Sequence, residues 1–328
     1  MAGTTERARG ALVDGGPSGN QAGVETFRVS FRSMGTAVTV IAPAPRSSSQ
    51  GIAIDRAAKV AEETFTRQDQ RFSRFRHGTE ISRVNARAGR WTQVSPPFLE
   101  VLLLSIEAAQ LTGGLFDPTV LPALLAAGYD QDFDDVIAGA RLALNPPQPC
   151  SRWPEIEIRR PEIRLPPRTA LDFGGIAKGW TVDLAARGIK GLLPWAVVDA
   201  GGDLRVVGRP PRGGLPIGVE DPDDPNGEVL RLNLKRGALA TSSVLFRSWG
   251  PGLHHLIDPR TARPADTGIV QATVWAATCV AAEVGSKWAL LAGEMVLEKV
   301  AAVLVRHDGA VLSSFVEAPE PGSFGAIA

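Results

Sequence analysis

Apolar and polar residues alternate in the first well-patterned stretch of the chain. The segment ETFRVSFRSMGTAVTVIAP, residues 25–43, carries apolar side chains at every second position on both sides of Gly35. A period of two is typical of a half-buried β-strand, so this segment predicts a strand pair or one long bent strand. The period then changes, because apolar positions in residues 51–72 recur at helical spacing. The first quarter of the chain therefore predicts strands followed by a long helix.

The C-terminal half mixes the same two periods. WAVVDAGGDLRVVG, residues 195–208, predicts a strand, a glycine turn and a second strand. Residues 278–292 predict a helix, and Asp308-Gly309 is typical of the turn of a terminal hairpin. Strands and helices follow each other irregularly instead of as a regular strand–helix–strand array. We therefore expect an α+β fold of mixed sheets with packed helices.

Two segments lack clear periodicity and suggest how the chain is divided. Residues 1–25 are rich in glycine, serine and charge, and they predict a flexible tail. The rest of the chain, residues 26–328, is interpreted as the functional domain. Within it, the proline-rich segment near residues 141–170 predicts a connector between two lobes.

Composition narrows the functional classes. The 328 residues are 44% hydrophobic, enough for a substantial core, and carry a net charge of +0, which gives no bulk attraction to nucleic acid. No run of about 18 apolar residues predicts a membrane span, and the N-terminus lacks an apolar signal core. Cys150 and Cys279 are too few for a disulfide framework. We expect a cytoplasmic protein without membrane insertion or a nucleic-acid partner.

The most informative local pattern is LDFGGIAKGWTVDLAARG, residues 171–188. An aspartate and two glycines precede a helical period with apolar residues every fourth position, ending near Gly188. The glycine spacing fits neither a Walker loop nor a dinucleotide fingerprint. Free N–H groups at a helix N-terminus favour an anion, so the junction is a candidate phosphate site. The alternative is a tight turn beside a surface lysine, Lys178.

Further polar clusters stand where strands and helices are expected to end, which is where ligand-binding loops lie on a scaffold. Read in chain order, the motifs are M-G-T (34–36), SRFRHGTEISRVN (73–85), GLFDPT (114–119), LDFGGIAKG (171–179), G-G-D (201–203), A-T-S (240–242) and HLIDPRTARP (255–264). Together, and in this order, they resemble the FAD:protein FMN transferases of the ApbE type. The resemblance covers most of the chain and implies a two-lobed ApbE-like fold.

The resemblance also implies a reaction. In that family the FMN half of FAD is transferred to a threonine or serine hydroxyl of an acceptor protein, and AMP is released. Such a step needs a positioned nucleophile, compensated phosphate charge and a proton acceptor. Two alternatives remain open from the residues alone. One is an FAD hydrolase that yields FMN and AMP, and the other is a flavin-binding protein without enzymatic activity.

The motif positions imply roles for individual residues. His255 would be the base that takes the acceptor's hydroxyl proton, because histidine titrates near neutral pH, and Asp258 would orient it. Phe75 would offer a ring face for stacking, Asp172 would hydrogen-bond FAD, and Lys178 would approach its phosphates. The full set implied to bind FAD is Met34, Phe75, Leu115, Phe116, Asp117, Asp172, Lys178, Thr241, Ser242, Leu256 and Ile257.

One motif departs from the family pattern. The resemblance implies a magnesium site built from an aspartate and a threonine four residues later on the late helix, together with a backbone carbonyl that corresponds to Gly175. Here Glu283 and Lys287 stand at the two side-chain positions. The spacing keeps both on one helix face, but magnesium takes oxygen ligands and an ammonium group cannot be one. The sequence leaves Mg²⁺ open, and Lys287 is a candidate replacement for it.

Overall fold

The structure is a computed structural model that describes residues 5–12, 24–133, 136, 150–224 and 226–315. The strands, in chain order, are β1 (Glu6–Leu12), β2 (Val24–Ser33), β3 (Thr36–Pro43), β4 (Thr92–Gln93), β5 (Glu157–Arg159), β6 (Glu162–Arg164), β7 (Trp195–Ala200), β8 (Asp203–Gly208), β9 (Leu215–Glu220), β10 (Glu228–Leu234), β11 (Ala238–Ser243), β12 (Ser248–Gly250), β13 (Leu253–His254), β14 (Ile257–Asp258), β15 (Arg263–Pro264), β16 (Ile269–Ala276), β17 (Ala301–Arg306) and β18 (Val311–Ser313).

The helices lie between these strands in the chain. They are α1 (Ser48–Phe72), α2 (Glu80–Ala86), α3 (Pro96–Leu111), α4 (Leu121–Ala126), α5 (Ala177–Ile189) and α6 (Cys279–Ala292), with short 3₁₀ turns at Trp153–Glu155 and Gly293–Glu298. Side-chain caps set several helix starts, as Ser95 Oγ accepts from Phe98 N and Thr278 Oγ1 accepts from Ala281 N. Within the described residues, none of the helices is both long enough and apolar enough to cross a bilayer.

A large antiparallel sheet forms the scaffold. In the described part of the chain its order is β1-β2-β3-β7-β8-β11-β16-β17-β18, and smaller sheets pair β9 with β10, β12 with β13, β14 with β15, and β6 with both β4 and β5. Helix α5 packs between α1 and α6, and α6 lies on β11 and β16. The buried side chains of α1, α5 and the sheet form one apolar cluster, which includes Phe65, Val182 and Val198. The expected α+β class is confirmed.

The first predicted strand stretch is a hairpin and not one bent strand. Strands β2 and β3 pair in register from Thr26–Pro43 to Ser33–Thr36, so Met34 and Gly35 alone form the turn. Their φ angles are 51° and 71°, as a two-residue type I′ turn requires. Glycine adopts this geometry freely, whereas Met34 adopts it with steric strain. The hairpin thereby presents Met34 at a fixed position on the cleft described below.

Parts of the predicted tail and connector fall within the described residues. Residues 6–12 form β1, which pairs antiparallel with β2 along its length. The rest of the predicted tail up to residue 23, apart from residue 5, lies outside the described residues. Within the connector, β5 and β6 pair antiparallel, while residues 141–149 also lie outside the described residues.

Helix α5 ends at Ile189, one residue after the predicted Gly188, but this glycine does not terminate it. Gly188 lies inside the helix, and the glycine with a left-handed φ is Gly191, at 85°. A β-carbon at Gly188 would lie 3.0 Å from Val60 Cγ1 of α1. Gly188 therefore serves close helix packing and not chain termination, a role that depends on a neighbour distant in the chain.

Candidate functional site

A cleft of about 910 Å³ lies where the β2–β3 turn, the ends of α1 and α6, and the loop before α5 meet. Its lining includes most of the residues that the motifs single out. These are Met34, Phe75, Leu115, Phe116, Asp117, Asp172, Gly175, Lys178, His255, Leu256, Ile257 and Lys287. Segments that lie more than two hundred positions apart in the chain therefore meet in one cavity. Their order in the chain does not by itself predict this. A cleft of this size suits a cofactor-sized ligand.

Four predicted site residues lie outside that lining. Thr241 Oγ1 is 2.8 Å from Thr273 Oγ1 on the neighbouring strand β16. Ser242 Oγ is 2.7 Å from Ser286 Oγ, below the cleft. Glu283 is fully buried, and Asp258 lies in the β14–β15 turn. The A-T-S motif thus supports the floor of the cleft from beneath.

The loop before α5 is held by internal bonds at Asp172. One oxygen of Asp172 accepts the Gly174 N–H at 2.6 Å, and the other lies 2.7 Å from Arg74 Nε. Asn85, from the second motif, bonds both the N–H and the carbonyl of Leu171. The expected hydrogen bonds from Asp172 to FAD therefore have competitors inside the protein. In this structure Asp172 stabilises the turn before α5. This agrees with the alternative interpretation of the junction as a tight turn.

The N-terminus of α5 already contacts an anion from its own chain. The Gly179 N–H, in the first turn, donates to Glu283 Oε2 at 2.8 Å. A β-carbon at Gly179 would lie only 2.6 Å from the Cys279 carbonyl oxygen, so α5 and α6 touch at this glycine. The sequence predicted a phosphate beside amides of this kind, which remains a prediction. The carboxylate of Glu283 is the anion that the structure places there.

Four charged side chains form a cluster beneath the cleft. Lys178 pairs with Asp203, and its Nζ lies 3.3 Å from Glu283 Oε1. Lys287 Nζ lies 3.2 Å from the same oxygen and 3.4 Å from Ser242 Oγ. Burial opposes the charge of Lys178, but Asp203 and Glu283 outweigh it and raise the pKa of this lysine above its usual range. Lys178 is not a solvated surface lysine.

Glu283, the acid that contacts both lysines of this cluster, is ionised. Burial raises the pKa of Glu283, but the two lysines lower it more strongly, and the Gly179 N–H adds to their effect. The net direction is a pKa below the ordinary value of 4.5. Glu283 is therefore a carboxylate between two lysines, whereas burial raises the pKa of Asp203 against the opposing charge of Lys178.

The residues at the implied magnesium positions do not fit the ion. Gly175, Glu283 and Lys287 do come together, since a β-carbon at Gly175 would lie 3.2 Å from Lys287 Cδ. The donor set is nevertheless one carboxylate, already bonded, and one ammonium, which repels a cation. Among the described residues, no group of three or more His, Cys, Asp or Glu side chains could hold a metal ion.

Asp117 fastens the GLFDPT loop. Its Oδ1 accepts from the N–H and hydroxyl of Thr119 at 2.7 and 2.6 Å, and its Oδ2 accepts from the Ser151 N–H. Burial raises the pKa of Asp117, while these bonds oppose the rise. The neighbouring Phe116 is buried against Gly175, where a β-carbon would lie 3.0 Å from its ring. Asp117 lines the cleft, but its carboxylate is used to hold the loop.

His255 lines the cleft with a neutral imidazole. Burial, followed by the positive charges of Arg247 and Lys287, holds the pKa of His255 well below its ordinary value of 6.5. Its buried Nδ1 has no hydrogen-bond partner within the described part of the chain. By contrast, His254 turns away, and its Nε2 lies 3.0 Å from the Ala265 carbonyl oxygen. An unpartnered neutral imidazole nitrogen is a potential proton acceptor.

The expected His255–Asp258 pair is not present. Both oxygens of Asp258 bind Arg260, and Asp258 Oδ1 also accepts the Arg260 N–H at 2.9 Å. Although burial opposes its charge, these bonds hold the pKa of Asp258 below the ordinary value. A residue two positions along the chain competes better for the carboxylate than the histidine three positions before it. Asp258 stabilises its own turn and does not orient His255.

Phe75 and Tyr129 form an aromatic border of the cleft. The ring of Phe75 lies 5.7 Å from that of Tyr129, which stacks on Trp249 at 5.3 Å. The Arg74 guanidinium carbon lies 4.1 Å from the Phe75 ring centroid and 4.6 Å from that of Tyr129. Phe75 is therefore part of an arginine–aromatic stack, the kind of surface on which a planar ring system binds.

The motifs did not identify every residue of the site. Asp203 was visible in the G-G-D motif and Arg74 in the second motif, although neither was assigned a role. Tyr129 is the only tyrosine in the chain, but no pattern around it indicates a ligand. Arg247 also lines the cleft, and among the described residues no ion pair engages its guanidinium. Only folding brings Tyr129 and Arg247 to the same cavity as the motifs.

The fold and cleft define an α+β protein with a cofactor-sized, cation-lined binding site. A family model described as the ApbE family matches residues 34–311, and the chain belongs to this family. The resemblance inferred from the seven motifs is thereby confirmed.

Curated relatives support the same assignment. A protein named FAD:protein FMN transferase from Rhodobacter capsulatus is 30% identical over 267 residues, covering 72% of this chain and 48% of that relative. One of the same name from Vibrio cholerae is 28% identical over 229 residues, covering 66% of this chain and 67% of that protein. The matched region therefore spans about half of the Rhodobacter protein and two thirds of the Vibrio protein.

Solved structures show the same fold. The ApbE protein of Thermotoga maritima superposes with a TM-score of 0.76 at 23% identity, covering 88% of this chain and 97% of that one. The flavin transferase ApbE of Vibrio cholerae gives a TM-score of 0.70 at 21% identity, covering 95% and 98%. At this identity the likeness concerns the fold.

Proposed function

We propose that this chain transfers the FMN moiety of FAD to a threonine or serine hydroxyl of an acceptor protein and releases AMP. The observation that carries the proposal is the convergence of the motif residues on one cleft of about 910 Å³ that contains a neutral histidine beside several cations. Relatives named FAD:protein FMN transferase support it. Residues 26–328 would form the transferase domain, and the cytoplasm is its expected location.

The cleft offers a surface for each part of FAD. Phe75 and Tyr129, which line the cleft, would contact a flat ring system, with Met34, Leu256 and Ile257 as apolar neighbours. The cations of Lys287 and Arg247 face the cavity and would bind the diphosphate. Lys178 lines the same wall, although Asp203 and Glu283 already neutralise part of its charge.

The chemical step exchanges the phosphoanhydride bond of FAD for a phosphoester bond at the same phosphorus. The acceptor hydroxyl loses its proton to His255, and its oxygen attacks the phosphorus of the FMN half. The bond between this phosphorus and the bridging oxygen breaks, and AMP leaves with that oxygen. His255 suits the role because its pKa keeps it unprotonated at neutral pH. The surrounding cations would stabilise the charge that grows on the phosphoryl oxygens.

The test is an incubation of the protein with FAD and a protein extract of its source organism. We expect AMP in solution and FMN attached to threonine or serine residues, both detected by mass spectrometry. Free FMN with AMP and no protein adduct would support hydrolysis instead, and intact FAD would support a binding protein. A His255→Asn variant is the matched control, since it keeps the cleft but removes the base.

A further inference from the structure

We propose that the ammonium group of Lys287 takes the place of a divalent cation in this cleft, so that the chain binds the diphosphate of FAD without a metal ion. This inference rests on the proposed function, because it concerns the same ligand. It differs from a magnesium-dependent site in one measurable respect, namely that chelation leaves FAD binding intact.

The first observation is the path of the lysine side chain. A β-carbon added to Gly175 would lie 3.2 Å from Lys287 Cδ and 3.4 Å from Lys287 Cε. The aliphatic stem therefore passes directly over the residue whose carbonyl the motif pattern assigns to a metal. Glycine at this position leaves the room that the stem uses. The Lys287 side chain therefore fills the space beside Gly175 and Glu283, the other two positions implied to bind the metal.

The second observation is that Glu283 has no free oxygen. Its Oε1 lies 3.2 Å from Lys287 Nζ and 3.3 Å from Lys178 Nζ, while its Oε2 accepts the Gly179 N–H at 2.8 Å. A metal ion would have to displace at least one of these partners. The two ammonium groups would also repel it. The carboxylate is thus committed to the chain's own cations.

The third observation is the direction in which the charges face. Glu283 is 0% exposed and lies beneath the cleft, whereas Lys287 is 8% exposed and forms part of the cleft lining. The anion is therefore on the inner side and the cation on the cleft side. An incoming diphosphate would meet the ammonium first, with Glu283 behind it as the counter-charge. A glutamate–lysine pair on an exposed helix face would not place its anion inside the protein and its cation towards a cavity.

A lysine differs from magnesium in charge and geometry. It carries one positive charge and donates hydrogen bonds, but it does not coordinate an oxygen as a Lewis acid. We therefore expect the site to hold the diphosphate by charge-assisted hydrogen bonds, with a contribution from Arg247, which lines the same cleft.

The decisive experiment titrates the full-length protein with FAD by isothermal titration calorimetry, once in EDTA and once in Mg²⁺. We expect dissociation constants that agree within about twofold, well below the tenfold change that 1.4 kcal/mol would produce. In parallel, Mn²⁺ electron paramagnetic resonance should show free manganese in the presence of protein and FAD. Binding that is lost in EDTA and restored by Mg²⁺ would overturn the inference but leave the proposed function intact. No FAD binding in either buffer would overturn both.

A pair of variants tests the lysine itself. Lys287→Met keeps the stem and removes the charge, and the loss of one charge-assisted hydrogen bond should weaken FAD binding by about tenfold or more. Lys59→Met, at an exposed position of α1, is the matched control and should bind FAD like the parent. Unchanged FAD affinity in a folded Lys287→Met protein would contradict the inference. If that variant does not fold, the metal test on the parent still decides.

Discussion

Asp183 and Glu283 each bind the first turn of the helix that carries the other. Asp183, on α5, accepts the N–H groups of Cys279 and Val280 at 2.9 and 3.0 Å, at the start of α6. Glu283, on α6, accepts the Gly179 N–H at the start of α5. Each carboxylate satisfies amides that a helix N-terminus leaves unpaired and faces the positive end of a helix dipole. The reciprocal arrangement fixes the two helices that carry Lys178 and Lys287.

The cap at Asp183 should be measurable as stability. Asp183→Ala removes the acceptor for two buried amides and leaves Arg205 without its partner. We expect the free energy of unfolding to fall by about 1–3 kcal/mol, measured by urea denaturation. Asp55→Ala, at an exposed position of α1, should change it by less than about 0.5 kcal/mol. Equal effects of the two substitutions would contradict the capping role.

Two glycines in helices should respond in opposite directions to alanine. A β-carbon at Gly179 would lie 2.6 Å from the Cys279 carbonyl oxygen, whereas at Gly51 in α1 it would meet no atom within 4 Å. Gly179→Ala should therefore destabilise the protein by about 1–3 kcal/mol through overpacking. Gly51→Ala should stabilise it by about 0.5–1 kcal/mol, because alanine favours the helix. Thermal unfolding of both variants checks the pair.

Ala262 should gain from replacement by glycine. Its φ is 55°, in the left-handed region that glycine adopts without steric cost. The side chain makes this conformation cost about 1–2 kcal/mol, although glycine's flexibility in the unfolded state offsets part of the gain. We expect Ala262→Gly to raise the free energy of unfolding by up to about 1 kcal/mol. A fall in stability on urea denaturation would show that the turn does not impose the strain.

The pH dependence of transfer should report His255. Because its folded-state pKa lies well below 6.5, the base is already neutral at pH 6.5 and stays neutral at higher pH. We therefore expect kcat/KM to show no loss from this group above pH 6.5, and to fall only at more acidic pH as the imidazole is protonated. His255→Ala should reduce the rate by about 10²–10⁴-fold, while His307→Ala should not change it. Parent-like transfer by His255→Ala would exclude it as the base.

Arg247 should affect both binding and that pH profile. Arg247→Met removes a cation that faces the cleft, so FAD affinity should fall by about 10–100-fold. The same cation helps to depress the pKa of His255, so its removal should move the acid limb of kcat/KM to higher pH. Arg90→Met, at an exposed position outside the cleft, is the control. An acid limb that does not move would show that Arg247 lies too far from the imidazole to influence it.

The sequence by itself determined the elements and the motif positions. Periodicity and turn residues predicted α1, α6 and the β17–β18 hairpin, and they limited residues 25–43 to a strand pair or one bent strand, because these features depend on neighbours a few positions away. The seven motifs identified most of the residues that line the cleft. The pattern of the late helix also showed that Lys287 stands where the resemblance implies an oxygen ligand. These inferences use residue identity and local spacing, both of which are written in the chain.

Only the tertiary structure decided which groups are partners. Gly179 and Glu283 are 104 positions apart, and no local period indicates that the helix amide binds that carboxylate. Asp258 pairs with Arg260 instead of His255, because a carboxylate binds whichever donor the folded backbone brings within reach. Buried charges require partners, and which partner is available depends on how distant segments pack. For that reason the sequence predicted which residues line the cleft better than it predicted their bonds.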